Sequence, residues 1–131
     1  MKTVCIDTHA LVWYLSKPKK LARSAARILR DADVGRATVL VPAIVAIELS
    51  MIRELGRKTP GVPELEALLA MQPAFEFLPL DLEQAKEFAA VSSIADPFDR
   101  MVVAAARAAQ VPLITADEEI QESSLVDVVW D

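Results

Sequence analysis

Apolar residues follow two rhythms along this chain. Short aliphatic or aromatic runs come first: Thr3-Val4-Cys5-Ile6, Thr38 to Val41, Phe75-Glu76-Phe77-Leu78, Leu113-Ile114-Thr115 and, more weakly, Val126 to Val129. Each predicts a strand. The first has no polar alternation, which suits a strand covered on both faces. Between the runs the apolar spacing turns helical. Thr8 to Leu15 predicts a helix broken by Ser16-Lys17-Pro18. Lys20 to Ala32 predicts an amphipathic helix, with Leu21, Ala25, Ile28, Leu29 and Ala32 as its stripe and Lys20, Arg23, Arg27 and Arg30 on another face. A helix from about Ala43 to Leu55 ends at Gly56, before the loop Thr59-Pro60-Gly61-Val62-Pro63. Glu64 to Met71 is a shorter helix. Asp81 to about Val91 is another, with Leu82, Ala85, Phe88 and Ala89 on one side.

The most organised stretch runs from Ala95 to Asp117. Asp96 is a good N-cap and Pro97 suits the first helical position. Asp99 falls in the first turn of a helix that continues through Met101, Val102, Val103 and a series of alanines. Gln110-Val111-Pro112 ends it, because a residue before proline is pushed out of the helical region. A short strand follows, then Asp117, then one turn of helix from Glu118 to Gln121.

Strands that alternate with helices predict an α/β fold with a parallel sheet covered on both faces. The expected architecture is a three-layer α/β/α sandwich with a central, mostly parallel sheet of four to five short strands, in one domain spanning residues 1–131. In such sheets ligands gather beyond the carboxyl ends of the strands, where Asp7 and Asp117 should both lie.

Composition narrows the function. The chain has 131 residues, of which 53% are hydrophobic and 25% charged, which excludes disorder. Its formal net charge of -5 and pI of about 4.9 exclude general coating of nucleic acid, so any role on RNA or DNA needs local basic patches or bound cations. Cys5 is the only cysteine, which leaves no disulfide framework and no cysteine-based zinc site; a buried, inert thiol is the expectation. Asp7 interrupts the first apolar run too early for a secretory signal, and no run is long enough to span a membrane. The expected location is the cytoplasm.

Four acids then stand out. Glu48 has Ile44, Val45, Met51 and Ile52 as its helical neighbours, and a lone glutamate in an apolar stripe is costly unless its charge is compensated. Water at an edge or a buried arginine partner would also compensate it. Asp7 and Asp117 could each cap the helix that follows, and Asp99 could simply favour the positive end of its helix dipole. Topology nevertheless lets all four meet at one end of the sandwich. Carboxylates so crowded need protonation or a cation, and oxygen-only ligands suit Mg²⁺ or Mn²⁺. His9, the sole histidine, has no partners for zinc.

These residues carry a resemblance. Asp7-Thr8-His9-Ala10-Leu11-Val12-Trp13, Glu48, Asp96-Pro97-Phe98-Asp99-Arg100 and Thr115-Ala116-Asp117 together resemble the PIN-domain ribonucleases, and most closely the VapC-type toxins of type II toxin–antitoxin modules. The resemblance spans Thr3 to about Val129. It implies hydrolysis of RNA phosphodiesters with one or two Mg²⁺ or Mn²⁺ ions, and its acidic quartet falls on Asp7, Glu48, Asp99 and Asp117. Asp7 and Asp99 are expected as principal ligands. Thr8 matches a hydroxyl position beside the first acid and Arg100 the arginine of the Asp-Pro-Phe-Asp-Arg run; with Asp96 they are the expected supporting residues. The resemblance also implies a homodimer and a cognate antitoxin covering the acidic groove. Two departures bear on the hydrogen bonding behind the ligands: Ser92-Ser93-Ile94-Ala95 has no histidine, and Val45 stands where many relatives have serine.

Lys20, Arg23, Arg27 and Arg30, with Lys17 and Lys19 nearby, are candidates to hold flanking phosphates, against the plainer reading of a solvated face. Trp13 and Tyr14 could stack bases, although core or dimer packing suits them better. Two other functions compete with the nuclease. One is an interaction module whose acids only cap helices. The other is a different Mg²⁺-dependent phosphate hydrolase or a DNA nuclease. A phosphatase would want a second acid two residues after Asp7, where His9 stands, and three glycines in the whole chain leave no phosphate-cradling loop.

Overall fold

The computed structural model describes residues 2–131. Its centre is a five-stranded sheet in the order β3-β2-β1-β4-β5, with every neighbouring pair parallel. The strands are β1 (Lys2–Ile6), β2 (Ala37–Pro42), β3 (Phe75–Leu78), β4 (Leu113–Ile114) and β5 (Val128–Val129). The helices are α1 (Thr8–Ser16), α2 (Arg23–Asp33), α3 (Ala43–Glu54), α4 (Val62–Met71), α5 (Leu82–Ala90), α6 (Pro97–Ala109) and α7 (Glu118–Ser123).

Strand order explains how both faces are covered. The chain steps from β1 to β2 to β3 in one direction, then returns across β1 to β4 and β5. With right-handed crossovers, reversing direction moves the connecting helices from one face to the other. The central strand is therefore apolar on both sides: Val4, Cys5 and Ile6 are fully buried. Burial pushes the Cys5 thiol up to about 12, so it stays a neutral packing group. Val102 to Ala106 of α6 are buried as well, which is why that helix has so little polar surface.

Three local expectations are corrected. Lys20 does not belong to the second helix: Pro18–Lys20 form a single 3-10 turn, Leu21 and Ala22 are extended, and α2 begins at Arg23. Proline fixes the start of that turn, and the extended pair breaks helical register, so Lys20 leaves the face shared by Arg23, Arg27 and Arg30. In α5 the inward position is Gln84, whose Nε2 donates to the Pro79 carbonyl at 2.8 Å, whereas Leu82 is 69% exposed. The exposed Ala85 and Ala89 also point away from the core. Finally, α6 ends because Gln110 enters the left-handed region at φ 59° and returns its N–H to the last turn, one residue before the proline effect acts.

Candidate active site

The reversal of strand order lies between β1 and β4, the place where parallel sheets open a crevice at their carboxyl edge. Register dictates what fills it. Cys5 pairs with Leu113 and Ile6 with Ile114, so the next residues, Asp7 and Thr115, leave the sheet side by side. The Asp7 N–H donates to the Ile114 carbonyl at 3.1 Å. The Thr115 hydroxyl donates to Asp7 Oδ2 in a short contact, and the Ala10 N–H donates to Oδ1 at 2.9 Å. Asp7 thus caps α1 while its other oxygen is tied to the neighbouring strand. Burial pushes its carboxyl up to about 6 despite these two donors, with the charge of His9 lowering it and that of Glu48 raising it.

Glu48 enters from α3. Its Oε1 accepts a 2.6 Å hydrogen bond from the Thr8 hydroxyl across the α1–α3 contact. Val45, one turn earlier, is fully buried and packs in the core, as is Ile94 before α6. The hydrogen bond behind Glu48 therefore comes from the first helix.

Asp99 enters from the first turn of α6. Asp96 caps that helix, its Oδ1 accepting from the N–H groups of Phe98 at 2.8 Å and Asp99 at 3.0 Å. The cap consumes Asp96 and leaves the Asp99 carboxylate with no hydrogen bond or ion pair among the described residues. Burial, then the charges of Asp117, Asp96, Asp7 and Glu48, push it up to about 7. Asp117 accepts from the Ile120 N–H at 2.9 Å and caps α7, while its own N–H donates to the Thr115 hydroxyl oxygen at 3.1 Å.

The four acids thus come from the ends of β1 and β4 and from α3 and α6, and the charges of the other three are felt at Asp99. No lysine or arginine forms an ion pair with any of them among the described residues. The donor set is all oxygen, which fits Mg²⁺ or Mn²⁺ and not zinc. No three Asp, Glu, His or Cys side chains among the described residues stand close enough to enclose an ion as they are. Three of the four carboxylates, those of Asp7, Glu48 and Asp117, each accept from a protein donor.

Other expected residues lie elsewhere. Arg100 sits with its guanidinium 3.8 Å above the Phe88 ring, and its Nε donates to the Phe88 carbonyl at 2.9 Å, so it fastens α6 to α5. Tyr14 stacks on Phe75 at 5.3 Å and donates to Asp33 at 2.5 Å, a packing role. Arg23, Arg27 and Arg30 are exposed on α2, where Arg27 borders a cleft with Lys2, Asp31 and Asp131. Thr115 is the residue that sequence reasoning passed over. Its only signal was its place in Thr115-Ala116-Asp117, level with Asp7.

The PIN domain family matches residues 4–124. This chain belongs to that family. Among named relatives, it is 27% identical over 123 residues to ribonuclease VapC22 of Mycobacterium tuberculosis, covering 92% of each chain. As a fold, this PIN domain resembles VapBC2 from Rickettsia felis, solved bound to a DNA fragment from their promoter, with a TM-score of 0.72, 15% identity and coverage of 98% of this chain and 99% of that one. It also resembles the FitAcB structure from Neisseria gonorrhoeae, with a TM-score of 0.67, 19% identity and coverage of 96% of both chains.

Proposed function

We propose that this PIN domain is an Mg²⁺- or Mn²⁺-dependent endoribonuclease and the toxin of a type II toxin–antitoxin module. The observation that carries this reading is Asp99: a carboxylate without a donor or a cationic partner, facing three other acids at the switch point of a parallel sheet. The similarity to ribonuclease VapC22 supports RNA as the substrate.

Asp7 and Asp99 would be the principal ligands of one or two ions, with Glu48 and Asp117 completing the set directly or through water. Such an ion supplies Lewis-acid activation of water and offsets charge on the phosphate oxygens. The chain's own residues set the geometry. Thr115 fixes the Asp7 carboxylate, Thr8 orients Glu48, and Asp96 holds the first turn of α6 so that Asp99 faces the crevice. No histidine or lysine is needed as a base.

The cap-only reading explains Asp7, Asp96 and Asp117, but it leaves the Asp99 carboxylate among other acids with only a helix dipole in its favour. The VapBC complexes among the fold neighbours support a cognate antitoxin as partner. Apolar side chains left outside, such as Ile47, Met51 and Leu82, give an antitoxin or a second copy of this chain surface to cover. We place the protein in the cytoplasm, with its RNA; no helix among the described residues is long and apolar enough to cross a membrane.

The deciding experiment is digestion of bulk RNA with Mg²⁺, with Mn²⁺ and with chelator. Cleavage that requires the ion and disappears in a folded Asp99→Asn variant is the expected result. Metal-independent cleavage, or wild-type rates from the variant, would overturn the assignment.

A further inference from the structure

His9 and Trp13 are four residues apart and share one face of α1, with ring centroids 6.3 Å apart and planes at 54°. Trp13 meets Trp130, just beyond β5, at 5.8 Å and 48°. The Lys20 ammonium lies 5.5 Å from the centre of the Trp13 ring. His9 and Lys20 are exposed, and both indoles are partly exposed. The neighbouring Tyr14 is fully engaged with Phe75 and Asp33, so the core already has its aromatic from this helix. In the His9–Trp13–Trp130 row, Trp13 and Trp130 also pack against the core on one side, but each keeps part of its ring exposed.

The position of this row is equally specific. His9 follows Thr8, which donates to Glu48, and lies two residues from Asp7. The row therefore begins at the acidic crevice and leads away along α1. It also lies in the basic part of a divided molecule. Residues 1–58 hold eleven of the fourteen Lys and Arg but only five of the nineteen Asp and Glu. Lys17, Lys19 and Lys20 form no ion pair among the described residues. An anionic chain entering the crevice is drawn over this side and repelled from the other.

We propose that His9, Trp13 and Trp130 form a stacking platform for an unpaired nucleobase flanking the cleaved phosphate, with Lys20 holding the adjoining backbone. This deepens the ribonuclease reading and rests on it. Aromatic rings select unpaired bases, because a base in a duplex has its faces covered. Stacking tolerates any base, so the platform favours single-stranded RNA without dictating a sequence. Lys20 now uses the Trp13 ring as its partner; moving to a phosphate uncovers that ring for the base.

Trp13 and Trp130 are the chain's only tryptophans, so its indole fluorescence reports on this platform alone. The test uses the whole protein in chelator, to prevent cleavage, titrated with a short single-stranded oligoribonucleotide and with an abasic oligomer of equal length. Anisotropy of labelled oligomers reports binding separately. The oligoribonucleotide should quench emission, and the abasic oligomer should bind more weakly and leave emission unchanged. The exposed His9→Ala change should weaken oligoribonucleotide binding by roughly fivefold or more, leaving abasic binding as it was. Lys20→Ala should flatten the salt dependence of both by about one phosphate contact. Equal quenching by both oligomers, binding without quenching, or unchanged affinity in His9→Ala would overturn the platform. Metal-dependent cleavage of bulk RNA by the wild type is read independently, so the platform can fail while the ribonuclease stands.

Discussion

Two corners of the crevice hold an aspartate in opposite ways. At the β1–α1 corner, Asp7 is buried, donated to by a threonine hydroxyl and a backbone N–H, and fixed before any ion arrives. At the α6 corner, Asp99 is aimed by the Asp96 cap but receives no donor, and surrounding carboxylates add to the burial that raises its pKa. One corner is organised by hydrogen bonds, the other is left electrostatically unfinished. On the proposed reading the two corners would divide the work: one rigid carboxylate would set the position of a cation and one uncompensated carboxylate would supply the driving force.

The largest expected effect comes from the unfinished corner. Asp99→Asn should lower metal-dependent RNA cleavage by more than the roughly 10- to 100-fold typical of an outer hydrogen-bonding partner, in single-turnover assays. The same variant should melt higher than wild type in chelator. The sign follows from the raised pKa. Folded Asp99 keeps its proton to about pH 7, whereas the unfolded chain releases it near 3.8, so its contribution to stability falls as pH rises between those values. The variant's advantage should therefore grow from pH 4 to pH 7 and level off above; an advantage independent of pH would contradict the crowding.

Next is the ion itself. Mn²⁺ should raise the melting temperature of wild type but hardly that of Asp99→Asn, and its affinity for wild type should weaken as pH drops below about 7, because protons compete for the same carboxylate. Calorimetry in two buffers of different ionisation heat would detect the released proton. The organised corner predicts a different penalty. Thr115→Val removes the hydroxyl that holds Asp7 and should cost about 1–3 kcal/mol of stability along with roughly 10- to 100-fold in activity. If denaturant melts show no loss, Asp7 does not depend on that bond. Asp96→Ala should cost about 1 kcal/mol through the lost cap, with a smaller drop in rate. Smallest of all, neutralising Arg23, Arg27 and Arg30 together, exposed on α2, should slow association with RNA at low salt while changing the equilibrium salt slope less than Lys20→Ala does.

Much of this arrangement was legible in the sequence. Apolar strands with no alternation, helices between them and the Asp-Pro start of α6 fixed the parallel sheet and its longest helix. Glu48 among aliphatic neighbours marked the acid that α3 brings to the crevice. What stayed hidden depends on contacts between distant segments. Thr115 reads as an ordinary strand residue until β1 and β4 are known to be neighbours in register. Gln84 looks like the polar face of α5, and only the Pro79 carbonyl beside it makes an inward amide tolerable. Lys20 looks helical by spacing, and the break at Leu21 and Ala22 is set by backbone angles that its apolar neighbours do not reveal. Trp130 sits at the far end of the chain from Trp13, so no local pattern joins them.

The contact between Asp7 and Thr115 joins residues separated by 108 positions. During synthesis Asp7 leaves the ribosome early, and the group that locks it follows only 108 residues later. A fragment that stops short of Thr115 would lack the lock, β5 and Asp117 together. On the ribonuclease reading proposed above, such a fragment should leave the RNA of its own cell intact.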